Sequence, residues 1–496
     1  MKRRCKKAQR RFAVEFSREP FLTTSKHIHL IGICGTAMAS LAGMLKERGH
    51  HVTGSDAAAY PPMSDFLASL GIPVAQPFGE ANLEPRPDLV VVGNAISRGN
   101  VELELVLDER IPFQSMAQVL HEEFLLDRER LVIAGTHGKT TTSSLAAWIF
   151  HHAERSPSFL IGGIPENFGS SFALGSGREF ILEGDEYDTA FFDKGPKFLH
   201  YFPDAVILTS VEFDHADIYR NLEEVKTAFK RLVNLIPRRG LLIAWDGHPN
   251  VDECAGRALC RVERYGFAED SSWQIRDIEY LPTQTRWKVL RQGKPWAEFE
   301  FPLAGEYNVL NATAAAALAA SYGIGADAIA AALREFHSVK RRLEVKAEVH
   351  GITIIDDFAH HPTAIAQTLK AVRTRYAGRR IWAVLEPRSN TLRRAVFQHE
   401  LAKSLAIADR VVLADVFKSD AIPEGERLDP AAVVADLNAS GKPAWLFSNA
   451  DAIVDAIASE LRSRDVVAIL SNGGFGGIYE KLPRKLQSLH EVITTA

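Results

Sequence analysis

A short glycine-containing turn, GTHGKTT, lies between an apolar segment, Leu131–Ala134, and a helical segment, TTSSLAAWIF. Glycines allow the backbone N–H groups of such a turn to point at a phosphate, and the helix N-terminus adds partial positive charge. Lys139 adds a full positive charge, and the hydroxyl of Thr140 is suited to Mg²⁺. A strand, turn and helix in this order predict a phosphate site in an α/β fold.

Acidic residues crowd the end of a second apolar segment, where Glu183, Asp185, Glu186 and Asp188 lie within the sequence ILEGDEYD. His215 follows another strand-like segment, AVILTSV. Mg²⁺ prefers oxygen ligands and keeps several waters, so carboxylates beside a phosphate turn predict a magnesium site. Two alternatives remain open. Each acid alone fits a solvated loop, and the turn, whose spacing is shorter than the general Walker pattern, fits a plain helix cap.

Short apolar runs alternate with helical stretches from His27 onward, as in parallel sheets covered by helices. Runs such as HIHLIGICG, HHVTGSD and PDLVVVGNAIS each indicate a buried strand that ends in a loop of small or polar residues. Such loops are where open α/β sheets bind ligands. We therefore predict the α/β class, with an extension at residues 1–25 and three domains at residues 26–127, 128–340 and 341–496.

Composition fits a globular protein of several domains. Of the 496 residues, 46% are hydrophobic, and 58 Lys and Arg nearly balance 62 Asp and Glu. This balance excludes a disordered chain and a uniformly basic surface for nucleic acid. Four cysteines without metal-ligand spacing are too few for a disulfide framework and favour a reducing cytoplasm. The most apolar stretch, Ala312–Leu333, is interrupted by polar residues and glycines and predicts a helical hairpin, not a membrane span.

The first 25 residues carry eight basic and two acidic side chains and lack the apolar core of a secretory signal. We expect a disordered extension whose deletion leaves the activity of the protein intact. Contact with RNA or with an anionic surface is the alternative.

The shortened turn GTHGKTTT resembles the phosphate motif of the Mur ligases, which build the peptide of bacterial cell-wall precursors by ATP-driven amide formation. The resemblance runs from His27 to the C-terminus. It includes GEYNVLNATAAAALA, KRRLE and DDFAHHPT in the family's order. It implies an N-terminal domain for the UDP-sugar, a central ATPase domain and a C-terminal domain for the amine substrate.

Within the family, HIHLIGICGTAM resembles the branch that acts on UDP-N-acetylmuramate, although Cys34 and Ala37 stand where relatives often carry glycine. The loops EPRSNTLRRAVFQ and LSNGGFGGIYEKL resemble members that add the wall tripeptide L-alanyl-γ-D-glutamyl-meso-diaminopimelate in peptidoglycan recycling. Addition of L-alanine alone is the alternative. An NAD-dependent oxidoreductase or a nucleotide-binding regulator explains Lys139, the acids and His215 together less well.

The resemblance also implies individual site residues and two cofactors, ATP and Mg²⁺. It gives Lys139, Glu183 and His215 as catalytic residues and Thr140, Glu183 and His215 as metal ligands, with Glu186 as a further candidate. The implied nucleotide contacts are Gly135, Thr136, His137, Gly138, Lys139, Thr140, Thr141, Asn308, Asn311, Arg342, Asp357 and His360. The implied UDP-sugar contacts in the N-terminal domain are Gly35, Thr36, Ser55, Asp56 and Asn94. The tripeptide ends in carboxylates, which the fork of an arginine pairs with at two points, so the predicted peptide contacts are Arg388, Asn390, Arg393 and Asn472.

Structural alternatives remain for several of these residues. Asn308 and Asn311 also suit caps of the alanine-rich helix, and the arginines also suit surface salt bridges. His361, which precedes a proline, is expected to be structural. Some family members carry a carbamylated lysine that holds a second metal; here Phe229 occupies that position with Lys230 beside it, so no modification is predicted.

The expected partners are small molecules, UDP-N-acetylmuramate and the tripeptide, with no nucleic acid and no membrane. We expect a cytoplasmic monomer or weak homo-oligomer.

Overall fold

The computed structural model describes residues 25–59 and 63–495, so the predicted basic extension lies almost wholly outside the described residues. The first group of elements comprises β1 (His27–Ile31), α1 (Thr36–Glu47), β2 (His51–Ser55), α2 (Met63–Ser69), β3 (Val74–Ala75), β4 (Leu89–Val92), α3 (Val101–Asp108), β5 (Phe113–Ser115) and α4 (Met116–Leu120). Their strands pair in parallel in the order β3-β2-β1-β4-β5. We refer to this as the N-terminal sheet.

The central strands are β6 (Glu129–Ala134), β7 (Ser158–Leu160), β8 (Phe172–Ala173), β9 (Glu179–Gly184), β10 (Asp188–Ala190), β11 (Asp193–Pro196), β12 (Ala205–Leu208), β13 (Leu241–Trp245), β14 (Arg261–Gly266), β15 (Trp273–Tyr280), β16 (Thr285–Arg291) and β17 (Lys294–Phe301). The helices are α5 (Lys139–His152), α6 (Leu222–Asn234), α7 (Pro249–Ala255), α8 (Glu306–Ser321) and α9 (Ala326–Arg334). The central sheet has the order β17-β16-β15-β14-β13-β12-β6-β9-β7-β8, and β10 pairs with β11 as a separate hairpin. Helices α8 and α9 confirm the predicted helical hairpin.

The C-terminal elements are β18 (Glu344–Val349), β19 (Ile352–Asp357), α10 (Pro362–Arg375), β20 (Ile381–Leu385), α11 (Gln398–Leu405), β21 (Arg410–Ala414), α12 (Pro430–Ala439), β22 (Ala444–Phe447), α13 (Ala450–Ile457), β23 (Val466–Leu470) and α14 (Ile478–Thr495). The sheet order is β18-β19-β23-β20-β21-β22, with β18 antiparallel and the others parallel. The α/β class is confirmed. The sheets fall within the predicted ranges, whose boundaries remain a prediction.

Strand β6 shows why the central sheet is covered on both faces. Leu131 and Ile133 pack into the core under α5 and α8, whereas Val132 and Ala134 pack into the core shared with the N-terminal elements. Side chains alternate between the two faces of a strand, so a strand covered on both faces must be apolar throughout. Because β6 pairs in parallel with β9 and β12, its end and the phosphate turn lie at the same edge of the sheet as the carboxyl ends of those strands.

Helix α1 of the N-terminal group packs closely against β8 of the central sheet. A Cβ atom on Gly43 would lie 2.7 Å from Cζ of Phe172, so the ring occupies the space above the glycine. The hydroxyls of Ser40 and Ser171 lie 2.7 Å apart at the same contact. The two groups therefore share one hydrophobic core. Among the described helices, none combines the length and apolar character needed to cross a bilayer.

Candidate active site

The turn between β6 and α5 has two positions whose backbone favours glycine. Gly135 has φ 134° and Gly138 has φ 79°, and side chains rarely tolerate such values. A Cβ atom on Gly138 would lie 2.6 Å from Oδ1 of Asn311, and one on Gly135 would lie 2.8 Å from the amide nitrogen of Ser210. Helix α5 begins immediately after Gly138. The first N–H groups of a helix have no partner within the helix, so this end of α5 is suited to an anion.

Lys139 is the first residue of α5, and its side chain contacts both the phosphate turn and Glu186. Its Nζ atom donates to the carbonyl oxygen of Gly135 and to Oε2 of Glu186, each at 2.7 Å. Burial alone would lower the pKa of Lys139, but the negative charge of Glu186 raises the pKa above its ordinary value. The ammonium group is therefore fully charged at neutral pH and lies where a phosphate would approach.

Thr140, Glu183 and Glu186 bring oxygen atoms together beside this lysine. The Thr140 hydroxyl donates to Oε1 of Glu183 at 2.8 Å, and the backbone N–H of Gly162 donates to Oε2 at 2.7 Å. Burial and the neighbouring Asp185 raise the pKa of Glu183. Among the described residues, Oε1 of Glu186 is buried without a hydrogen-bond donor. A divalent cation would favour the charged form of Glu183 and give Oε1 of Glu186 a partner, so this set of oxygens fits Mg²⁺.

His215 reaches the same place from the loop that follows β12. Its Nε2 atom lies 3.6 Å from Oε1 of Glu186, and its backbone has the left-handed value φ 54°. Burial favours the neutral imidazole, but the contact with Glu186 raises the pKa of His215 to about 8. The structure thus assembles the predicted catalytic residues and metal ligands around Glu186.

The remaining residues predicted for the nucleotide lie around α8 and the start of the C-terminal sheet. Asn308 is buried and donates to the carbonyl oxygen of Ala304 at 2.8 Å, as a helix-terminal contact would. Nδ2 of Asn311 is buried and, within the described residues, has no hydrogen-bond partner. Nη2 of Arg342 lies 3.4 Å from the Thr140 hydroxyl. Asn311 and Arg342 therefore border the phosphate turn and the start of α5.

Asp357 is the last residue of β19 and His360 lies in the loop after it, and both side chains contact backbone groups. Asp357 accepts from the N–H groups of Leu343 and Ala359, at 2.8 and 2.9 Å. Nδ1 of His360 contacts the carbonyl oxygen of Phe358 at 2.9 Å. Burial raises the pKa of Asp357 and lowers the pKa of His360.

A cavity of about 430 Å³ lies at the junction between the central and C-terminal sheets. Arg342 lines this cavity and also reaches Thr140, so it links the cavity to the phosphate turn. Apolar residues including Phe336, Val339 and Ile355 form much of the remaining wall. A phosphate turn beside a partly apolar cavity suits a ligand with both a phosphate chain and a flat apolar part.

His137 of the phosphate turn contacts Glu212, and the same carboxylate contacts α10. Nε2 of His137 lies 3.3 Å from Oε2 of Glu212, to which the Thr363 hydroxyl donates at 2.6 Å. Ligand atoms of His137, Glu212 and His361 lie within 4.8 Å of one another, as in a three-ligand metal set. However, His361 accepts from the N–H of Thr363 and donates to the carbonyl oxygen of Phe213, each at 3.2 Å. Both ring nitrogens are thus used: Nε2 joins the C-terminal part of the chain to the loop after β12, and Nδ1 caps α10.

The four predicted peptide contacts lie together in one cavity of about 340 Å³. Arg388, Asn390, Arg393 and Asn472 line the cavity, and His215 lies in the same wall. The Arg388 guanidinium stacks over the ring of Phe417, 3.9 Å from its centroid. Within the described residues, Oδ1 of Asn472 and Nε of Arg393 are buried without hydrogen-bond partners. This cavity therefore offers positively charged side chains and unpaired polar atoms next to His215, a predicted metal ligand.

The predicted UDP-sugar contacts lie at the loop between β1 and α1. Gly35 caps α1, and Thr36 is the first residue of this helix; both are exposed. Oδ2 of Asp56 accepts from the backbone N–H of Cys34 at 2.9 Å, so this carboxylate fixes the loop.

Ser55 and Asn94 contact other parts of the protein. Ser55 is completely buried and donates its hydroxyl to Glu102, so its side chain does not face a ligand. Nδ2 of Asn94 donates to the carbonyl oxygen of Asp188 at 2.7 Å and joins the N-terminal elements to the β10–β11 hairpin.

Helix α6 holds the position at which some family members carry a modified lysine. Phe229 is buried there against Phe198, and Lys230 pairs with Glu253. Lys226 pairs with the same glutamate at 2.6 Å. Both lysines are therefore engaged on the side of α6 that faces α7.

Three residues that contact this site were not singled out from sequence. Asp214 and Glu212 lie in the loop that carries His215, and Thr391 lies in the segment that carries Arg388. Asp214 and Thr391 are hydrogen-bonded to each other across 177 residues of sequence. A local motif does not report such a contact.

Comparison with known proteins identifies the family. Three family models match successive parts of the chain: Mur ligase family, catalytic domain, at residues 27–126; Mur ligase middle domain, at residues 133–319; and Mur ligase, glutamate ligase domain, at residues 341–473. The chain belongs to the Mur ligase family. The family that the sequence motifs resemble is thereby confirmed.

Two kinds of Mur ligase are similar to the chain over nearly its full length. The UDP-N-acetylmuramate–L-alanyl-γ-D-glutamyl-meso-2,6-diaminoheptandioate ligase of Escherichia coli is 42% identical over 92% of this chain and 97% of the relative. A UDP-N-acetylmuramate–L-alanine ligase of Burkholderia cenocepacia is 33% identical over 93% of this chain and 98% of the relative. A solved murein peptide ligase from Psychrobacter arcticus has a TM-score of 0.71 at 36% identity and covers 93% of this chain and 99% of its own.

Proposed function

We propose that this Mur ligase joins UDP-N-acetylmuramate to the tripeptide L-alanyl-γ-D-glutamyl-meso-diaminopimelate with the consumption of ATP. The observation that carries the proposal is the cavity lined by Arg388, Asn390, Arg393 and Asn472, which opens beside His215. The tripeptide ends in carboxylates, and an arginine fork pairs with a carboxylate at two points. The higher identity to the tripeptide-adding relative supports the same substrate.

The reaction needs a leaving group on the muramyl carboxyl. The carboxylate attacks the γ-phosphate of ATP, which gives an acyl phosphate and ADP. The amine of the tripeptide then attacks the acyl carbon, the amide bond forms, the bond to phosphate breaks, and the amine proton passes to a base. Lys139 binds the phosphates through its ammonium group, and the first N–H groups of α5 orient them.

Mg²⁺ would be held by Thr140, Glu183 and His215, with Glu186 beside them, and would neutralise phosphate charge when bound. Arg342 would contact a nucleotide that occupies both the junction cavity and the phosphate turn. The exposed loop at Gly35 and Thr36 would receive the diphosphate of the UDP-sugar at the start of α1. The contacts described above support these assignments.

A substrate panel tests the proposal. The protein is supplied with ATP, Mg²⁺, UDP-N-acetylmuramate and either the tripeptide or free L-alanine, and product mass and phosphate release are measured. We expect product with the tripeptide and little with alanine. Preferential use of alanine would identify the other activity of this branch.

We also propose that the enzyme works in the cytoplasm on small molecules alone, as a monomer or weak homo-oligomer. Its substrates are charged and water-soluble, and the cysteine content suits a reducing compartment. Sedimentation of the purified protein across a concentration series tests the oligomeric state, and a stable higher oligomer would contradict this proposal.

A further inference from the structure

The loop that carries His215 is held along its length by the C-terminal part of the chain. The Glu212 carboxylate accepts from Thr363, and the carbonyl oxygen of Phe213 accepts from His361. Further along, Nδ2 of Asn390 donates to Oδ2 of Asp217 at 2.7 Å. The loop that brings His215 to the metal site is thus held by residues of the C-terminal part of the chain.

Thr391 contacts the two residues on either side of His215. Its hydroxyl donates to Oδ1 of Asp214 at 2.6 Å and accepts from the backbone N–H of Ala216 at 3.2 Å. Oδ1 of Asp214 also accepts from the backbone N–H of His215 at 2.7 Å. One buried hydroxyl therefore connects the residues on either side of His215 and completes the hydrogen bonding of this turn.

The turn needs such support because His215 has φ 54°, a left-handed backbone that residues other than glycine rarely adopt. The direction of the imidazole depends on this backbone value. If the turn relaxed, Nε2 would no longer lie 3.6 Å from Glu186. Thr391 is only 3% exposed, so water cannot readily replace its hydroxyl.

We propose that Thr391 is a positioning residue that sets His215 toward the metal site from the C-terminal part of the chain. The inference deepens the proposed function and rests on it for the role of the metal site. Thr391 lies in the same segment as Arg388, Asn390 and Arg393, which line the peptide cavity. The segment that would bind the amine substrate therefore also positions a residue of the metal site beside the phosphate turn.

The test compares Thr391→Val, which removes the hydroxyl at nearly constant volume, with Thr391→Ser, which keeps it. Mn²⁺ binding to the full-length protein is measured by electron paramagnetic resonance without nucleotide, and kcat and KM are measured with the tripeptide. Thr353→Val is the matched control, because it removes a buried threonine hydroxyl of the C-terminal sheet that contacts Arg379.

We expect Thr391→Val to weaken Mn²⁺ binding about 10- to 100-fold, as loss of a partner that orients a metal ligand does, and to lower kcat with little change in KM. Thr391→Ser should restore both quantities, and Thr353→Val should leave them unchanged. The inference is overturned if Thr391→Val binds Mn²⁺ as tightly as the wild type or changes KM alone. It is also overturned if Thr391→Ser or Thr353→Val loses Mn²⁺ affinity and kcat to the same extent. Because Mn²⁺ binding needs no peptide, failure of the wild-type protein to use the tripeptide would count against the proposed function and not against this role of Thr391.

Discussion

The Nζ atom of Lys139 lies 2.7 Å from Oε2 of Glu186, and the two side chains are 11% and 2% exposed. Burial removes water from both charged groups, so each charge is stabilised mainly by the other. The contact directs the ammonium group of the phosphate turn toward the carboxylates at the ends of neighbouring strands. The residue that carries charge for the phosphates and the residues that suit a cation are thereby parts of one network.

Substitution of Lys139 tests the phosphate site. We expect Lys139→Ala to reduce phosphate release by at least about 100-fold, because a preorganised positive charge at the phosphate is lost. Binding of UDP-N-acetylmuramate, measured by calorimetry, should survive because its proposed contacts lie in the N-terminal sheet. Lys288→Ala, which removes an exposed lysine paired with Asp277 in the central sheet, serves as the control. Retained turnover in Lys139→Ala would falsify the assignment of the phosphate site.

The ion pair itself gives a prediction about stability. Glu186→Gln leaves the Lys139 ammonium buried without its carboxylate, which we expect to destabilise the fold by roughly 3 kcal/mol. The double variant Lys139→Met/Glu186→Gln removes both charges and should melt at a higher temperature than the Glu186→Gln variant. Thermal melting of the single and double variants checks this. If the double variant loses as much thermal stability as the two single variants together, the two charges are not coupled.

The peptide cavity predicts a selective effect on substrate binding. Arg388→Ala should raise the KM for the tripeptide about tenfold or more, because a charge-assisted pair with a carboxylate is lost. Arg388→Lys should restore only part of the affinity, since an ammonium group lacks the planar fork. KM for ATP should stay constant. The control is Arg462→Ala, at an exposed arginine in the loop between α13 and β23. A similar KM for the tripeptide in wild type and Arg388→Ala would remove Arg388 from the site.

His361 should make stability depend on pH. Burial, followed by the charge of His137, lowers the pKa of His361 from 6.5 to about 4. Below pH 6.5 the unfolded chain binds a proton at this residue that the folded protein does not bind until about pH 4. The free energy of unfolding therefore falls as the pH drops through this window, by up to roughly 1.4 kcal/mol per pH unit from this residue.

The variant His361→Asn keeps a side chain that can accept from the N–H of Thr363 at the start of α10. Its melting temperature should change less than that of the wild type between neutral pH and about pH 5. The exposed His337, changed to asparagine, provides the comparison. An identical pH dependence in His361→Asn and wild type would mean that His361 does not titrate as described.

Sequence reasoning identified the elements that carry the site better than the contacts within it. The phosphate turn was predictable because its strand, glycines and helix are contiguous. The pairing of Lys139 with Glu186 spans 47 residues, and that of Thr391 with Asp214 spans 177, so neither leaves a local pattern. For the same reason, the end of β2 was recognisable, but the sequence did not indicate that Ser55 turns its hydroxyl inward to Glu102.

The contact between Gly43 and Phe172 limits how this enzyme can be divided. A side chain at position 43 would meet the ring at less than 3 Å, and loss of β8 would uncover the helix face around the glycine. Exchange of residues 26–127 with the matching part of a relative therefore amounts to repacking a core, not to joining independent modules. A hybrid enzyme made at this boundary should fold only if the small residue and its aromatic partner are transferred together.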